Sequence, residues 1–122
     1  MIETIYIDGG CSGNPGPMSI AMTHNEHKVV KEIGDGTNNR AEYLSLIYAL
    51  IHIKKHTDIN ADYIIKSDSQ LLVKQMQGLW KIKSPELRTL HNRAWKLIHE
   101  IDHAIAIQYI PRDENCAGWL LE

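Results

Sequence analysis

The 122-residue sequence predicts an α/β domain built on a mixed sheet flanked by helices. Three observations predict it. Short β-rich runs alternate with stretches whose apolar residues recur every three to four positions, the period of a half-buried helix. The second and third β-rich runs are linked through Asn25-Glu26, short enough for a hairpin, whereas the later strands are separated by helices and need parallel crossovers. The run Tyr63-Ile64-Ile65 is apolar on both faces, as a covered central strand must be.

The elements follow in order. Thr4-Ile5-Tyr6-Ile7 is a strand ending at Asp8, and residues 9–17, rich in Gly and Pro, are expected to be loop. Strands are expected at 19–24 and 28–33. A helix from Asn39 to about His56 carries the stripe Tyr43, Leu46, Ile47, Leu50 and Ile51. The central strand closes at Ser67-Asp68-Ser69, a helix-opening cluster, and the next helix is stopped by Gly78. After Pro85, the residues Leu87, Leu90, Ala94, Leu97, Ile98 and Ile101 mark a longer helix. Residues 104–109 form the last strand, ended by Pro111, and 115–122 read as a terminal helical fragment that runs off the chain.

Composition points the same way. With 43% hydrophobic and 23% charged residues, residues 1–122 are expected to form one globular domain. No apolar run reaches membrane-span length and the start does not read as a signal peptide, so no membrane association and a cytoplasmic location are expected. Cys11 and Cys116 form no CxxC pair, which suits a reducing compartment. The formal charge of −2 argues against binding nucleic acid by bulk charge. It conceals an asymmetry, however: from Lys66 to Lys96 there are seven bases and two acids.

Three acids stand where elements begin or end: Asp8, Glu42 and Asp68. Functional groups gather at strand ends in open α/β sheets. Three converging carboxylates could not all stay ionised without a cation, and oxygen-only donors select hard ions such as Mg²⁺ or Mn²⁺. Local roles compete with this reading. Glu42 could complete a capping box with Asn39, and Asp68 could cap the helix that follows it. The histidine pairs His52/His56 and His99/His103 have ligand spacing but no third ligand in a motif, and read as solvated helix surface.

The segments Ile7-Asp8-Gly9-Gly10-Cys11-Ser12-Gly13-Asn14-Pro15-Gly16-Pro17, Thr37-Asn38-Asn39-Arg40-Ala41-Glu42-Tyr43 and Ser67-Asp68-Ser69-Gln70-Leu71-Leu72-Val73, with Gly78-Leu79-Trp80-Lys81-Ile82-Lys83 after them, resemble type 1 ribonuclease H in order and spacing. The resemblance implies a ribonuclease H-like fold, a five-stranded mixed sheet with helices and here a truncated terminal helix. It also implies a single ribonuclease H domain that cuts the RNA strand of RNA–DNA hybrids, leaving 5′-phosphate and 3′-hydroxyl ends. Two divalent ions, Mg²⁺ or Mn²⁺ in its place, would be held by Asp8, Glu42, Asp68 and a fourth acid. Asp8 would bridge both ions, with Glu42 and Asp68 on the leaving-group side. Gly9, Gly10, Cys11, Ser12, Gly13 and Asn14, with Asn38, Asn39 and Gln70, would read the minor groove and its 2′-hydroxyls. Thr37 with Asn14 would grip a DNA phosphate. Lys81 and Lys83 would lie along the backbone, and Trp80 would pack on a sugar or stay in the core. The long basic insertion of some members is missing between Gly78 and Pro85. A monomer is expected, with duplex RNA as a further candidate substrate.

The pattern breaks at the fourth acid. The family motif has an Asp four residues after its Asn; here Asn115 is followed at that distance by Trp119. Three readings stay open. Glu122, one turn on, supplies the ligand; or Asn115, Asp113 or Glu114 supplies an oxygen; or the site works with three carboxylates. A catalytically weak or inactive module that binds hybrid or duplex RNA is the alternative function. Arg112 would contact the scissile-side phosphate where longer-loop members carry a histidine.

Overall fold

The computed structural model describes residues 1–56 and 60–122. Five strands, β1 (Ile2–Cys11), β2 (Gly16–His24), β3 (His27–Gly36), β4 (Asp62–Ser67) and β5 (Ile105–Tyr109), form one sheet in the order β3-β2-β1-β4-β5. The first three pair antiparallel, while β4 runs parallel to both β1 and β5. The mixed sheet expected from the element order is the one observed.

Helix α1 (Asn38–Lys55) packs on β1 and β2, with Tyr43, Leu46, Ile47 and Leu50 buried in the core and Ile51 packed at its margin. Helix α2 (Gln70–Met76) is capped by Ser69, whose side chain accepts from Leu72 N, so the cap is not Asp68. Gly78 then leaves the helix at a φ of 77°, a conformation glycine adopts freely. Helix α3 (Pro85–Glu100) opens on Ser84 and lays Leu87, Leu90 and Ala94 against α1.

Alternation along β1 sets the two faces of the sheet. Ile5 and Ile7 point into the core beneath α1, so Thr4, Tyr6 and Asp8 face the other way. A short helix α4 (Cys116–Trp119) lies on that second face, after a 3-10 turn at Arg112–Glu114. It is shorter than the 115–122 helix expected: Asn115 is its cap, and Leu120 and Leu121 already lie in a turn.

The expected loop over 9–17 is a correction. Gly9, Gly10 and Cys11 continue β1 and pair with Ile20, Ser19 and Met18, and only the turn between Cys11 and Gly16 leaves the sheet. Glycine is poor in strands for want of side-chain packing, but here the lack of a side chain is what lets α1 come close. A Cβ on Gly9 would collide with the carbonyl of Ala41 in α1. Gly9→Ala is therefore expected to cost about 1–3 kcal/mol through forced backbone separation, read as a lower urea midpoint with an unchanged slope.

Candidate metal centre

The register of the parallel pair β1–β4 creates the site. Ile7 pairs with Ser67, so the next residues, Asp8 within β1 and Asp68 just past the end of β4, stand side by side. The first strand does not end at Asp8 as expected. Glu42 reaches the same point from one turn inside α1, whose start is capped by Thr37 through Arg40 N, not by Asn39 in a box with Glu42. Glu42 instead accepts from Gly9 N at 2.7 Å. One carboxylate oxygen from each of the three acids lies within 4.8 Å of the others. Asp8 is 1% exposed and Glu42 9%.

Burial and crowding leave their mark on titration. Asp8 is pushed up to about 6, first by burial and then by the charge of Asp68, with Arg112 opposing both. Glu42 is raised well above the usual carboxylate range by burial, then by Asp8 and Asp68. Positive charge comes from Arg112, whose Nη1 donates to Asp8 Oδ1 at 3.2 Å, Asp8 Oδ2 at 3.1 Å and Asp68 Oδ2 at 3.1 Å. Its side chain is more than half exposed, so it covers the acids from the solvent side. Asn115 secures the floor, donating from Nδ2 to Ile7 O at 2.9 Å and to Asp68 Oδ2 at 3.1 Å.

The remaining predicted residues fall into two groups. Gly9, Gly10, Cys11, Ser12 and Asn38 line an open cleft of about 1020 Å³ with Asp8, Glu42 and Arg112. Asn38 and Asn14 tie the turn to α1: Cys11 N donates to Asn38 Oδ1 at 3.0 Å, and Asn38 N to Asn14 Oδ1 at 3.1 Å. Gly13 takes the positive φ in that turn. Thr37 and Asn39 are exposed at the same helix end, and Gln70 is exposed at the start of α2. Trp80, Lys81 and Lys83 lie apart, on the exposed segment between α2 and α3. Of the two readings of Trp80, burial in the core is excluded by its 45% exposure.

The fourth position differs from expectation. On α4 it is Gly118 that faces the acids: a Cβ there would lie 3.4 Å from Asp8 Oδ2 and 3.3 Å from Arg112 Cζ and Nη1. Trp119 is 55% exposed and borders a separate groove with Thr4, Tyr6 and Thr23. The phase of this helix follows from Asn115, anchored to Ile7, and from Ala117, fully buried. Counting from Asn115 missed Gly118; the small pair Ala117-Gly118 was the available signal. Glu122, Asp113 and Glu114 are exposed, and none joins the three acids that converge among the described residues.

The model of the RNase H family matches residues 2–116. The chain belongs to the ribonuclease H family. It is 38% identical to ribonuclease HI of Halobacterium salinarum over 117 residues, covering 90% of this chain and 57% of that protein. It thus spans little more than half the length of that relative. The solved structure of RNase H1 from the same archaeon superposes with a TM-score of 0.88 at 32% identity, covering 99% of this chain and 94% of the other. LC11-RNase H1, solved in complex with RNA/DNA hybrid, superposes at 0.87 with 34% identity, covering 93% and 88%. As a ribonuclease H fold the chain keeps three acids together and presents a glycine beside them.

Because Asp8 has a raised pKa, its ionisation opposes folding when no cation is bound. The penalty is absent below about pH 4, grows through pH 4–6 and is complete above that, on the order of 3 kcal/mol. In EDTA, Asp8→Asn is expected to melt several degrees above the unsubstituted chain at about pH 8, the difference closing by about pH 4.

Proposed function

We propose that this chain is a metal-dependent ribonuclease H that hydrolyses the RNA strand of RNA–DNA hybrids, leaving 5′-phosphate and 3′-hydroxyl ends. The convergence of Asp8, Glu42 and Asp68, the first two of which line an open cleft, carries this reading. The donor set suits two hard divalent ions, Mg²⁺ or Mn²⁺ in its place, since every converging ligand atom is a carboxylate oxygen. The two raised pKa values support it as well, because the acids are built to be neutralised by something other than protons. When bound, such ions supply Lewis-acid stabilisation of the charge that develops during in-line attack on phosphorus.

The chain's own residues do the rest. Asp8, Glu42 and Asp68 would hold the ions, with Gly9 N fixing the Glu42 carboxylate and Asn115 Nδ2 fixing that of Asp68. Arg112, paired with Asp8 and Asp68 on the solvent side of the acids, stands where its guanidinium would meet the scissile phosphate. The backbone of Gly9 to Asn14 with Asn38, Asn39 and Gln70 approaches the minor groove, where the 2′-hydroxyl separates RNA from DNA. Thr37 and Asn14 meet a phosphate of the DNA strand. Trp80 lies on a deoxyribose while Lys81 and Lys83 neutralise its phosphates. We take residues 1–122 as a single, monomeric, cytoplasmic domain, with duplex RNA as a second substrate.

A second reading, hybrid binding with little turnover, is favoured by one observation: position 118 faces the acids and carries no carboxylate. Labelled hybrid incubated with Mg²⁺ or Mn²⁺ separates the two. RNA-strand cleavage that vanishes in Asp8→Asn supports the enzyme, and tight binding without cleavage in either metal supports the module. Gly118→Asp is expected to raise cleavage about tenfold or more, equivalent to about 1.4 kcal/mol of barrier, while Trp119→Asp leaves it unchanged. Arg112→Ala is expected to lose most cleavage while its Mg²⁺ affinity, measured by titration calorimetry, stays at or above that of the unsubstituted chain.

A further inference from the structure

We propose that a histidine group at the far end of α1 is a binding site for a divalent transition-metal ion, Zn²⁺, held by His24 Nδ1, His52 Nε2 and His56 Nε2. The spacing of His52 and His56 alone provides two ligands on one helix face. The fold adds His24, at the end of β2, and His27, at the start of β3, so that four imidazoles from three elements meet. The group does not behave as solvated helix surface. His24 is 7% exposed, and its Nδ1 lies 2.9 Å from His52 Nε2. The His52 ring centroid is 4.2 Å from that of His56 and 5.5 Å from that of His27, which stacks on it at 9°.

Hydrogen bonds assign the nitrogens. Glu3 Oε1 accepts from His24 Nε2 at 3.1 Å, so the proton of a neutral His24 is on Nε2 and the lone pair is on Nδ1. The carbonyl of His52 accepts from His56 Nδ1 at 2.8 Å, which leaves the lone pair of His56 on Nε2. The His24 pattern is that of a metal-binding histidine: the nitrogen away from the metal is held by a carboxylate. His52 now donates from Nε2 to His24 Nδ1. On loading, that hydrogen bond breaks, the His52 proton moves through solvent to Nδ1, and two metal–nitrogen bonds take its place with no net proton release. Tetrahedral Zn²⁺ with bonds of about 2.0–2.1 Å holds its ligand atoms roughly 3.3 Å apart, a few tenths beyond the present separation. In the structure as it stands only His24 Nδ1 and His52 Nε2 are near ligand separation, paired with each other. The third bond requires the His56 ring to turn about its side-chain torsions, giving up the hydrogen bond from its Nδ1 to the His52 carbonyl. Solvent takes the fourth position, and His27 shields the His52 ring.

The ligand class follows from the donors. Neutral imidazole suits zinc and its neighbours and is a poor ligand for Mg²⁺. The site is distinct from the carboxylates, since Glu3 and Asp8 stand five residues apart on β1, about 16 Å at the rise of a strand. An ion here clips the β2–β3 hairpin to the end of α1 and stabilises the fold that binds it.

Titration calorimetry of the full chain with Zn²⁺ at about pH 7.5, in excess Mg²⁺, tests this. The expected result is one ion per chain, with affinity unchanged in Asp8→Asn. His52→Ala, His56→Ala and Glu3→Gln are expected to weaken it about tenfold or more. Far-UV circular dichroism establishes that each variant is folded. Co²⁺ offered instead is expected to give the visible absorption of a tetrahedral nitrogen site, lost in His56→Ala. If His52→Ala does not fold, the half-buried His56→Ala and the Co²⁺ spectrum decide. No saturable uptake, or uptake lost in Asp8→Asn and kept in His56→Ala, overturns the proposal.

Discussion

Like charges forced together out of water govern this molecule. Asp8, Glu42 and Asp68 sit where β1, α1 and β4 meet, and two of them resist ionisation because burial and their neighbours oppose it. Everything around them answers that repulsion. The Gly9 amide points at Glu42, Asn115 reaches Asp68, and Arg112 spans Asp8 and Asp68 from the solvent side. A site tuned only for stability would replace one of these acids with an amide. Keeping all three makes sense where positive ions arrive to use them, and it carries a standing cost to the fold.

The backbone makes this crowding obligatory. Parallel pairing of Ile7 with Ser67 delivers Asp8 and Asp68 together, and the alternation of β1 sends Ile5 and Ile7 into the core while Asp8 turns toward α4. Gly9 then permits α1 to approach closely enough for Glu42 to close the triangle. Packing and site are thus one construction. The residues that bury the hydrophobic face also decide where the acids stand.

Much of this was legible in the sequence. The order of elements, the mixed sheet and the stripe of α1 follow from periodicity, and Glu42 and Asp68 are marked by their places at the ends of elements. Asp8, read as closing its strand, instead lies within β1. What was not legible depends on contacts between distant segments. Gly9 and Gly10 are poor strand residues by local preference, yet pairing with β2 and the approach of α1 keep them in the sheet. Glu42 looked like a capping residue because its true partner, the Gly9 amide, is 33 positions away. The face of α4 turned to the acids depends on how Asn115 hangs from Ile7, which counting from the motif cannot supply. The histidines of α1 gain company only because a hairpin places His24 and His27 beside them.

Helix α1 is held at both ends for different reasons. Near its start Glu42 bonds to Gly9 of β1, and near its finish His52 bonds to His24 of β2. Ten residues separate the two anchors, about 15 Å of rigid rod at the helical rise. Such a rod acts as a gauge between opposite ends of the sheet. If it slid lengthwise by even one residue's rise, both anchors would go out of alignment at once. The helix has one seat on the sheet, and the position of a carboxylate is measured from the far end of the molecule.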